Sequence, residues 1–418
     1  MRAPYIDDGD VVLRHGDCVE VMREMDAGSV DCCVTSPPYF GLRDYGVDGQ
    51  IGLEDTPAAY VARLVEVFAE VRRVLADYGT CWVVLGDSYA GYWGDKNASK
   101  EGRRSSADTN GWVNGFHMNA GPSFHDAFDG SGVKPKDLLM MPARVALALQ
   151  ADGWWLRSDI IWAKPNPMPE SIRDRPTSAH EHIFLLTKAP RYWYDAEAIQ
   201  EATKTGPGAT WEERKAGGAT AGNMIIGHEK RNGTQRVVHG EGVTSNLTRQ
   251  DGMRNARNVW TIATQPTPEA HFATFPRELV RLCLAAGCPT KVCRECGEPS
   301  TRIVEREIAP REVFSSRSAP DDGFFGTGQS GIGGEHFGKG QKLQKWRDEH
   351  PSQTIGWTDC GHDAYRPGRV LDPFMGSGTT AIVARTMELH AVGIELNAEY
   401  LEIAARRLQQ LSLLGGGD

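Results

Sequence analysis

Val30-Asp31-Cys32-Cys33-Val34-Thr35-Ser36-Pro37-Pro38-Tyr39 is the stretch on which the reading of this chain turns. The run Val30–Val34 has the length and apolar character of a buried strand. Pro37 and Pro38 then exclude helix and remove two backbone donors. A stiff strand-end loop follows, presenting the Ser36 hydroxyl, bare carbonyls and the Tyr39 ring. Such a loop can accept hydrogen bonds from an amino group while the ring stacks on a flat heterocycle. Those are the means of holding a nucleobase by its exocyclic NH2.

Around this stretch, strands and helices alternate. Val11–Leu13 reads as a strand followed by the turn Gly16-Asp17, and Val19–Met25 as a short helix. Val61, Leu64, Val65, Phe68, Val71 and Leu75 recur at helical spacing over residues 58–75, and 80–87 is a second buried strand. A helix over 137–152, a strand over 154–162, a rigid turn at Lys164-Pro165-Asn166-Pro167 and a strand over 182–187 continue the pattern. Residues 275–286 form a helix with Pro276 in its first turn. The alternation predicts an α/β fold built on a doubly wound, mostly parallel sheet.

Three stretches break the pattern. Residues 90–136, rich in Gly, Ser, Asn and Asp, read either as a mobile loop that orders on substrate or as a disordered surface insertion. Residues 197–258 are polar, Gly-rich and locally basic, with Lys230, Arg231, Arg236, Arg249, Arg254 and Arg257. Residues 288–367 are irregular and carry cysteines at both ends.

The last fifty residues form a βαβ unit. A strand at 369–371 leads into Asp372-Pro373-Phe374-Met375-Gly376-Ser377-Gly378-Thr379-Thr380, then a helix, then a strand ending at Glu395, then a helix over 398–411. Glycines let a backbone approach a ligand at the strand's carboxyl end, and an acid ending the next strand suits two ribose hydroxyls. The loop has no Walker lysine, which argues against a phosphate cradle, and it lacks the third glycine of the dinucleotide fingerprint. Phe374 offers a ring to the apolar or sulfonium part of a cofactor. The unit points to an adenosyl cofactor.

The chain has 418 residues, enough for two domains or one large domain with insertions. Its net charge of −9 argues against coating nucleic acid by bulk attraction and leaves room for a local basic face. No apolar run reaches membrane-span length and Met1-Arg2-Ala3-Pro4 opens no signal peptide, so a cytoplasmic protein without membrane partners is expected. Nine cysteines do not make a disulfide scaffold, and Cys18, Cys32, Cys33, Cys81 and Cys283 sit in apolar patterns as core thiols.

Taken together, Thr35–Tyr39 first, a variable basic region second and Asp372–Thr380 third resemble the β subgroup of S-adenosylmethionine-dependent DNA amino-methyltransferases. Gly16-Asp17-Cys18, Lys164-Pro165-Asn166, His180-Glu181-His182 through Lys188, and His271–Leu279 are similar to further motifs of that family. The resemblance implies a Rossmann-like methyltransferase fold with permuted motif order, acting on double-stranded DNA. It assigns catalysis to Ser36, Pro37, Pro38 and Tyr39. It assigns S-adenosyl-L-methionine to Asp17, Thr35, Phe275, Asp372, Phe374, Gly376, Ser377, Gly378, Thr379, Thr380 and Glu395. Residues 1–196 would be the catalytic half, 197–258 the target-recognition region, 259–287 a cofactor-side helix and 368–418 the cofactor-binding part. A cognate restriction endonuclease, and the choice between monomer and weak dimer, stay open.

The target nitrogen shares its lone pair with the base ring. Ser36 Oγ and the Pro37 carbonyl would accept its two hydrogens and free that pair for in-line attack. In a duplex the base must first be flipped out, with Tyr39 stacking on it. Methylation at ring carbon needs a cysteine nucleophile, usually in a Pro-Cys pair, and the chain contains none. In the family, Ser at the position of Ser36 favours N4 of cytosine, with N6 of adenine the alternative. A catalytically silent DNA-binding module is a third reading, which intact Ser36, Tyr39, Gly376, Gly378 and Glu395 disfavour.

Cys293-Arg294-Glu295-Cys296-Gly297 is a Cys-x2-Cys knuckle, and Cys360-Gly361-His362 supplies two more ligand types. Cys293, Cys296, Cys360 and His362 would complete a tetrahedral Cys3His structural zinc site. The second pair has one intervening residue, so surface thiols with a chance histidine, or a redox pair, remain alternatives. A zinc ion there would pin the ends of the 288–367 insertion. Cys288 is the weaker ligand candidate.

Overall fold

Five parallel strands run through the centre of a nine-stranded sheet. The computed structural model describes residues 5–42, 44–90, 112–113, 116–117, 134, 136–202, 253–265, 275–305 and 353–414. Nearly all of the 90–136 loop, residues 203–252 with four of the basic side chains named above, His271–Thr274, and 306–352 lie outside the described residues.

In chain order the main elements are β1 (Ile6–Asp7), β2 (Val11–His15), α1 (Cys18–Arg23), β3 (Val30–Thr35), α2 (Pro57–Val74) and β4 (Leu75–Leu85). They continue with α3 (Met141–Ala151), β5 (Trp155–Ala163), β6 (His180–Thr187), β7 (Val259–Thr261) and α4 (Arg277–Gly287). The series closes with β8 (Val292–Cys293), β9 (Tyr365–Arg366), β10 (Arg369–Asp372), α5 (Thr379–Thr386), β11 (His390–Glu395) and α6 (Ala398–Leu414).

The sheet order is β1-β2-β11-β10-β3-β4-β6-β5-β7. Strand β6 runs antiparallel to both neighbours, and β1 is antiparallel to β2. Helices α1, α2 and α3 pack together, and α4, α5 and α6 pack together, one set for each face of the sheet. The fold is α/β and doubly wound, as the alternation implies. Period-two alternation sends neighbouring residues of β3 to different cores. Cys33 joins the cluster around Leu64, Phe68 and Val145, while Cys32 lies beside Thr80 on the face of α4.

Local chemistry sets the element ends. Thr56 caps α2 by accepting from Ala59 N–H, and Pro57 occupies the first turn. Helix α3 begins at Met141, four residues later than its sequence pattern indicates, because Asp87 Oδ1 accepts the Met141 N–H from a distant loop. Pro276 is the N-cap of α4 and not part of its first turn. Strands β1 and β7 are too short for periodicity to reveal.

From β10 the chain crosses to β11 on one side, and from β3 to β4 on the other. The strand order reverses between β10 and β3, and in open α/β sheets this crevice beyond the carboxyl ends is where ligands bind. The register Val370↔Cys32 and Leu371↔Cys33 sets Asp372–Phe374 beside Ser36–Tyr39.

At the opposite edge Asp31 is fully buried. Its carboxylate accepts from the forked Arg366 guanidinium (2.5 and 3.0 Å), the Arg369 N–H (2.7 Å) and the Tyr78 hydroxyl (2.6 Å). Every lone-pair direction of the buried charge is used, the condition under which a buried ion pair is tolerated.

The chain divides into two compact units. The one just described holds residues 1–195, 258–301 and 359–418. The other holds 196–257 and 302–358, with two short antiparallel pairs among its described residues, Glu201–Ala202 with Met253–Arg254 and Arg302–Glu305 with Gln353–Trp357. In it Glu201 takes both Arg254 and Arg257. No described helix is long and apolar enough to cross a membrane.

Candidate active site and metal centre

The two loops at the switch point are tied together by one carboxylate. Thr35 Oγ1 donates to Asp372 Oδ1 at 2.6 Å, Thr380 Oγ1 donates to Oδ2 at 2.7 Å, and the Phe374 N–H donates to Oδ1 at 3.1 Å. Asp372 is 2% exposed, and burial pushes its carboxyl up to about 6 despite the two hydroxyl donors. Thr35, Asp372 and Thr380 thus hold each other at the base of the crevice.

The glycines above them do different work. Gly378 (φ +84°) lies against α6, where an added Cβ would come within 2.9 Å of Ala404 Cβ. Gly376 (φ +52°) faces open space, with nothing within 4 Å of the Cβ position. Its N–H donates to Glu395 Oε2 at 2.7 Å, while Asn397 N–H donates to Oε1 at 2.8 Å. Burial raises the pKa of Glu395. Arg407 reaches from α6 to the Ser377 carbonyl (2.6 Å), Ser377 Oγ (2.7 Å) and Thr379 Oγ1 (3.5 Å), turning both side chains into the protein. Phe374 is half-buried against the core.

Asp17 stands at the same carboxyl edge, because β2 pairs with β11 through His15↔Glu395. It caps α1 through the Val19 and Glu20 N–H groups (2.9 and 3.0 Å), and its other oxygen takes Arg63 at 3.1 Å. Phe275 precedes α4 at the point where the chain returns from β7.

The Ser36–Tyr39 loop is built on close backbone contact. Pro37 is buried, the Pro38 carbonyl accepts from the Tyr60 hydroxyl at 2.8 Å, and Phe40 is buried with its ring 5.5 Å from that of Tyr60. Tyr39 lies against Gly86, where a Cβ would meet the ring at 2.6 Å. Its hydroxyl donates to Glu181 Oε2 at 2.7 Å and accepts from Ser36 Oγ at 3.4 Å. Glu181 Oε1 pairs with Lys164, and the two side chains are only 16% and 18% exposed. Burial, then the Glu181 charge, hold the Tyr39 phenol well above its ordinary pKa. Lys164 also stands 4.4 Å above the Trp162 ring. Glu181 is the site residue that the sequence reading placed only in a structural motif. Its partner Tyr39 lies 142 positions away, and no local pattern announces that pairing.

Cys33 and Cys283 are buried and burial holds their thiols well above the ordinary cysteine value, as expected of inert core thiols.

The four cysteine and histidine candidates come together. One ligand atom from each of Cys293, Cys296, Cys360 and His362 lies within 4.8 Å of all the others. Cys293 Sγ and Cys360 Sγ stand 3.6 and 3.5 Å from His362 Nδ1. Zinc bonds of about 2.3 Å to sulfur and about 2.0 Å to nitrogen place S and N about 3.6 Å apart in a tetrahedron. Gly297 (φ +75°) and Gly361 (φ +83°) make the turns. The Glu295 and Cys296 N–H groups donate to Cys293 Sγ at 3.4 and 3.5 Å, and Glu295 approaches His362 Nε2 at 3.8 Å. The His362 N–H, with the His362 ring, pulls the Cys360 thiol down to about 6. Cys288 is buried beside Cys32, outside this group.

A doubly wound sheet with a proline-stiffened polar loop and a glycine loop meeting at its switch point is the setting in which open α/β folds bind nucleotide-type ligands. The profile of the N6/N4 DNA methylase family matches residues 30–291 and 366–406, and the chain belongs to that family. Type II methyltransferase M.Cfr9I of Citrobacter freundii is 34% identical over 98% of this chain and 91% of its own length. Type II methyltransferase M.SmaI of Serratia marcescens is 34% identical over 94% and 89%. Among solved structures, PvuII DNA methyltransferase (cytosine-N4-specific) covers 97% of this chain and 88% of its own, with 14% identity and a TM-score of 0.48, a likeness on which nothing further rests.

Proposed function

We propose that this chain transfers a methyl group from S-adenosyl-L-methionine to the exocyclic amino nitrogen of a base flipped out of double-stranded DNA, with N4 of cytosine preferred over N6 of adenine. The observation that carries the reading is the Thr35–Asp372 bond, which fastens the Ser36–Tyr39 loop to the glycine loop at the switch point. The residues fit the cofactor: Gly376 leaves open space where a side chain would stand, and the half-buried Glu395 carboxylate borders it. Gly376, Gly378 and Glu395 would hold the adenosyl part, with Phe374, Asp17 and Phe275 around it. Asp372, Thr35, Thr380, Ser377 and Thr379 keep the loop in shape. The bound cofactor supplies an electrophilic methyl group.

Ser36 Oγ and the Pro37 carbonyl accept the hydrogens of the target amino group, and Pro38 and Tyr39 keep that loop rigid. The amino nitrogen then directs its lone pair outward, so positioning does most of the work. Ser36 supports the cytosine preference through the family resemblance. Residues 1–196 and 368–418 form the methyltransferase domain with the 259–287 helix, and residues 197–258 read the target sequence. Cys293, Cys296, Cys360 and His362 hold a structural zinc ion that pins the 288–367 insertion, a reading supported by their spacing in the structure. The type II relatives support a role in restriction-modification, and a cognate endonuclease, a cytoplasmic location and a monomeric or weakly dimeric state belong to the same proposal. Nucleosides from DNA treated with the protein and labelled cofactor, analysed by mass spectrometry, should contain N4-methylcytosine. N6-methyladenine would shift the acceptor, and neither product on any DNA would refute the assignment.

A further inference from the structure

Lys164, Glu181, Tyr39 and Ser36 form one continuous chain of hydrogen bonds ending at the proposed amino-group acceptor. Its polarity is set at the far end. An ionised carboxylate has no proton to give, so both oxygens of Glu181 only accept. One accepts from Lys164 and the other from the Tyr39 hydroxyl at 2.7 Å. Tyr39 has a single proton, and it is committed to Glu181. The phenol oxygen can then only accept, and it accepts from Ser36 Oγ at 3.4 Å. That contact is long for a pair of hydroxyls, as bonds in active sites often are before substrate binds. Once the Ser36 proton points at Tyr39, Ser36 Oγ has only lone pairs left to present.

A serine hydroxyl can otherwise rotate and donate as readily as it accepts. Donation to the target nitrogen would occupy the lone pair that must attack the methyl group. We propose that Glu181, anchored by Lys164, is a positioning residue that fixes the direction of the Tyr39–Ser36 chain, so that Ser36 Oγ meets the target amino group only as an acceptor. This deepens the amino-methyltransferase reading and rests on it. The surroundings suit the role. Gly86 brings the backbone against the Tyr39 ring, and the Tyr60 hydroxyl holds the Pro38 carbonyl, so the Tyr39 link and the loop that carries it are held in place.

Glu181→Gln keeps the shape and reverses the polarity. Lys164 would take the amide oxygen, the amide NH2 would donate to the Tyr39 oxygen, and the Tyr39 proton would turn toward Ser36. The Ser36 proton would then face the target nitrogen. Tyr39→Phe removes the link and leaves Ser36 free to rotate, a milder defect. Adding Tyr39→Phe to Glu181→Gln should therefore restore activity, which no purely structural role produces.

The test is the single-turnover rate of methyl transfer to DNA, with cofactor and DNA affinity measured on the same proteins. Glu181→Gln should lower the rate at least about tenfold with both affinities within about twofold of wild type. The double variant should be faster than Glu181→Gln alone and match Tyr39→Phe. A wild-type rate in Glu181→Gln would overturn the proposal. So would a double variant as slow as the two single defects multiplied, or a Glu181→Gln defect explained by lost cofactor affinity. Wild-type protein that methylates no DNA would instead remove the parent reading and this proposal with it.

Discussion

The Thr35 hydroxyl donates to the Asp372 carboxylate at 2.6 Å across 337 positions of sequence. Strands β3 and β10 lie side by side, so this bond closes the crevice floor between the Ser36–Tyr39 loop and the glycine loop after Asp372. Asp372 is buried and titrates high, at about 6. A carboxyl raised in the folded state stabilises the fold fully at pH values below the unfolded-chain pKa, and this contribution is lost as pH rises through about 6. Asp372→Asn does not titrate. The stability of wild type relative to Asp372→Asn should fall by ~3 kcal/mol between about pH 4 and pH 7. Urea unfolding across that range measures it, and a pH-independent difference would contradict the assigned shift.

The two glycines of the cofactor loop should respond differently to alanine. Gly378→Ala combines a left-handed backbone with a 2.9 Å approach to Ala404 in α6, and should destabilise by about 3 kcal/mol. Gly376→Ala has the strained backbone but open space, so it should cost only about 1 kcal/mol while weakening cofactor binding. Thermal unfolding and calorimetric titration with the cofactor separate the two effects. Equal losses of stability would mean that the Ala404 contact is unimportant.

Ser36→Ala should reduce methyl transfer at least about tenfold and leave cofactor affinity near wild type, since its hydroxyl is the proposed acceptor for the target amino group. Glu395→Ala should weaken cofactor binding first, and it also leaves the Gly376 and Asn397 N–H groups unpartnered. Titration calorimetry alongside a transfer assay reads both. Comparable loss of cofactor affinity in the two variants would contradict this division.

Purified protein should carry one zinc ion per chain, measured by elemental analysis. Cys360→Ser should abolish retention and lower the unfolding temperature, because metal binding contributes folding free energy. Protein that contains no zinc when purified without chelator would sink the metal assignment.

Strand β3 and its loop were legible because a buried apolar run stops at two prolines, and both signals are local. The grouping of Cys293, Cys296, Cys360 and His362 was legible from the Cys-x2-Cys pair and the later Cys-Gly-His, even though the second pair's spacing departs from the usual one. Strand β7 was not: Val259-Trp260-Thr261 is three residues long, with Val259 half-exposed, and only its register with β5 makes it a strand. Asp372 was expected to serve the cofactor, and its hydrogen bonds to two buried threonines were not legible, because a strand-end acid looks alike whatever it faces. The structure shows its oxygens facing Thr35 and Thr380. Glu181 stood in the sequence only as part of the His180-Glu181-His182 motif, since its pairing depends on a tyrosine from another strand end. Pairing across the sheet is a property of topology, which residue patterns express only indirectly.

The knuckle has a further consequence. Cys293 and Cys296 stand beside Cys360 and His362, and Arg366 then locks the returning chain onto Asp31 at the root of the catalytic strand. The four side chains bring residues 293–296 and 360–362 together, more than sixty positions apart in sequence. Loop closure grows only slowly more costly with length. Closing a longer or shorter chain between the same two ends therefore differs little in cost. Two ends held this close make the length of the sequence between them a matter of little consequence to the strand that carries Ser36.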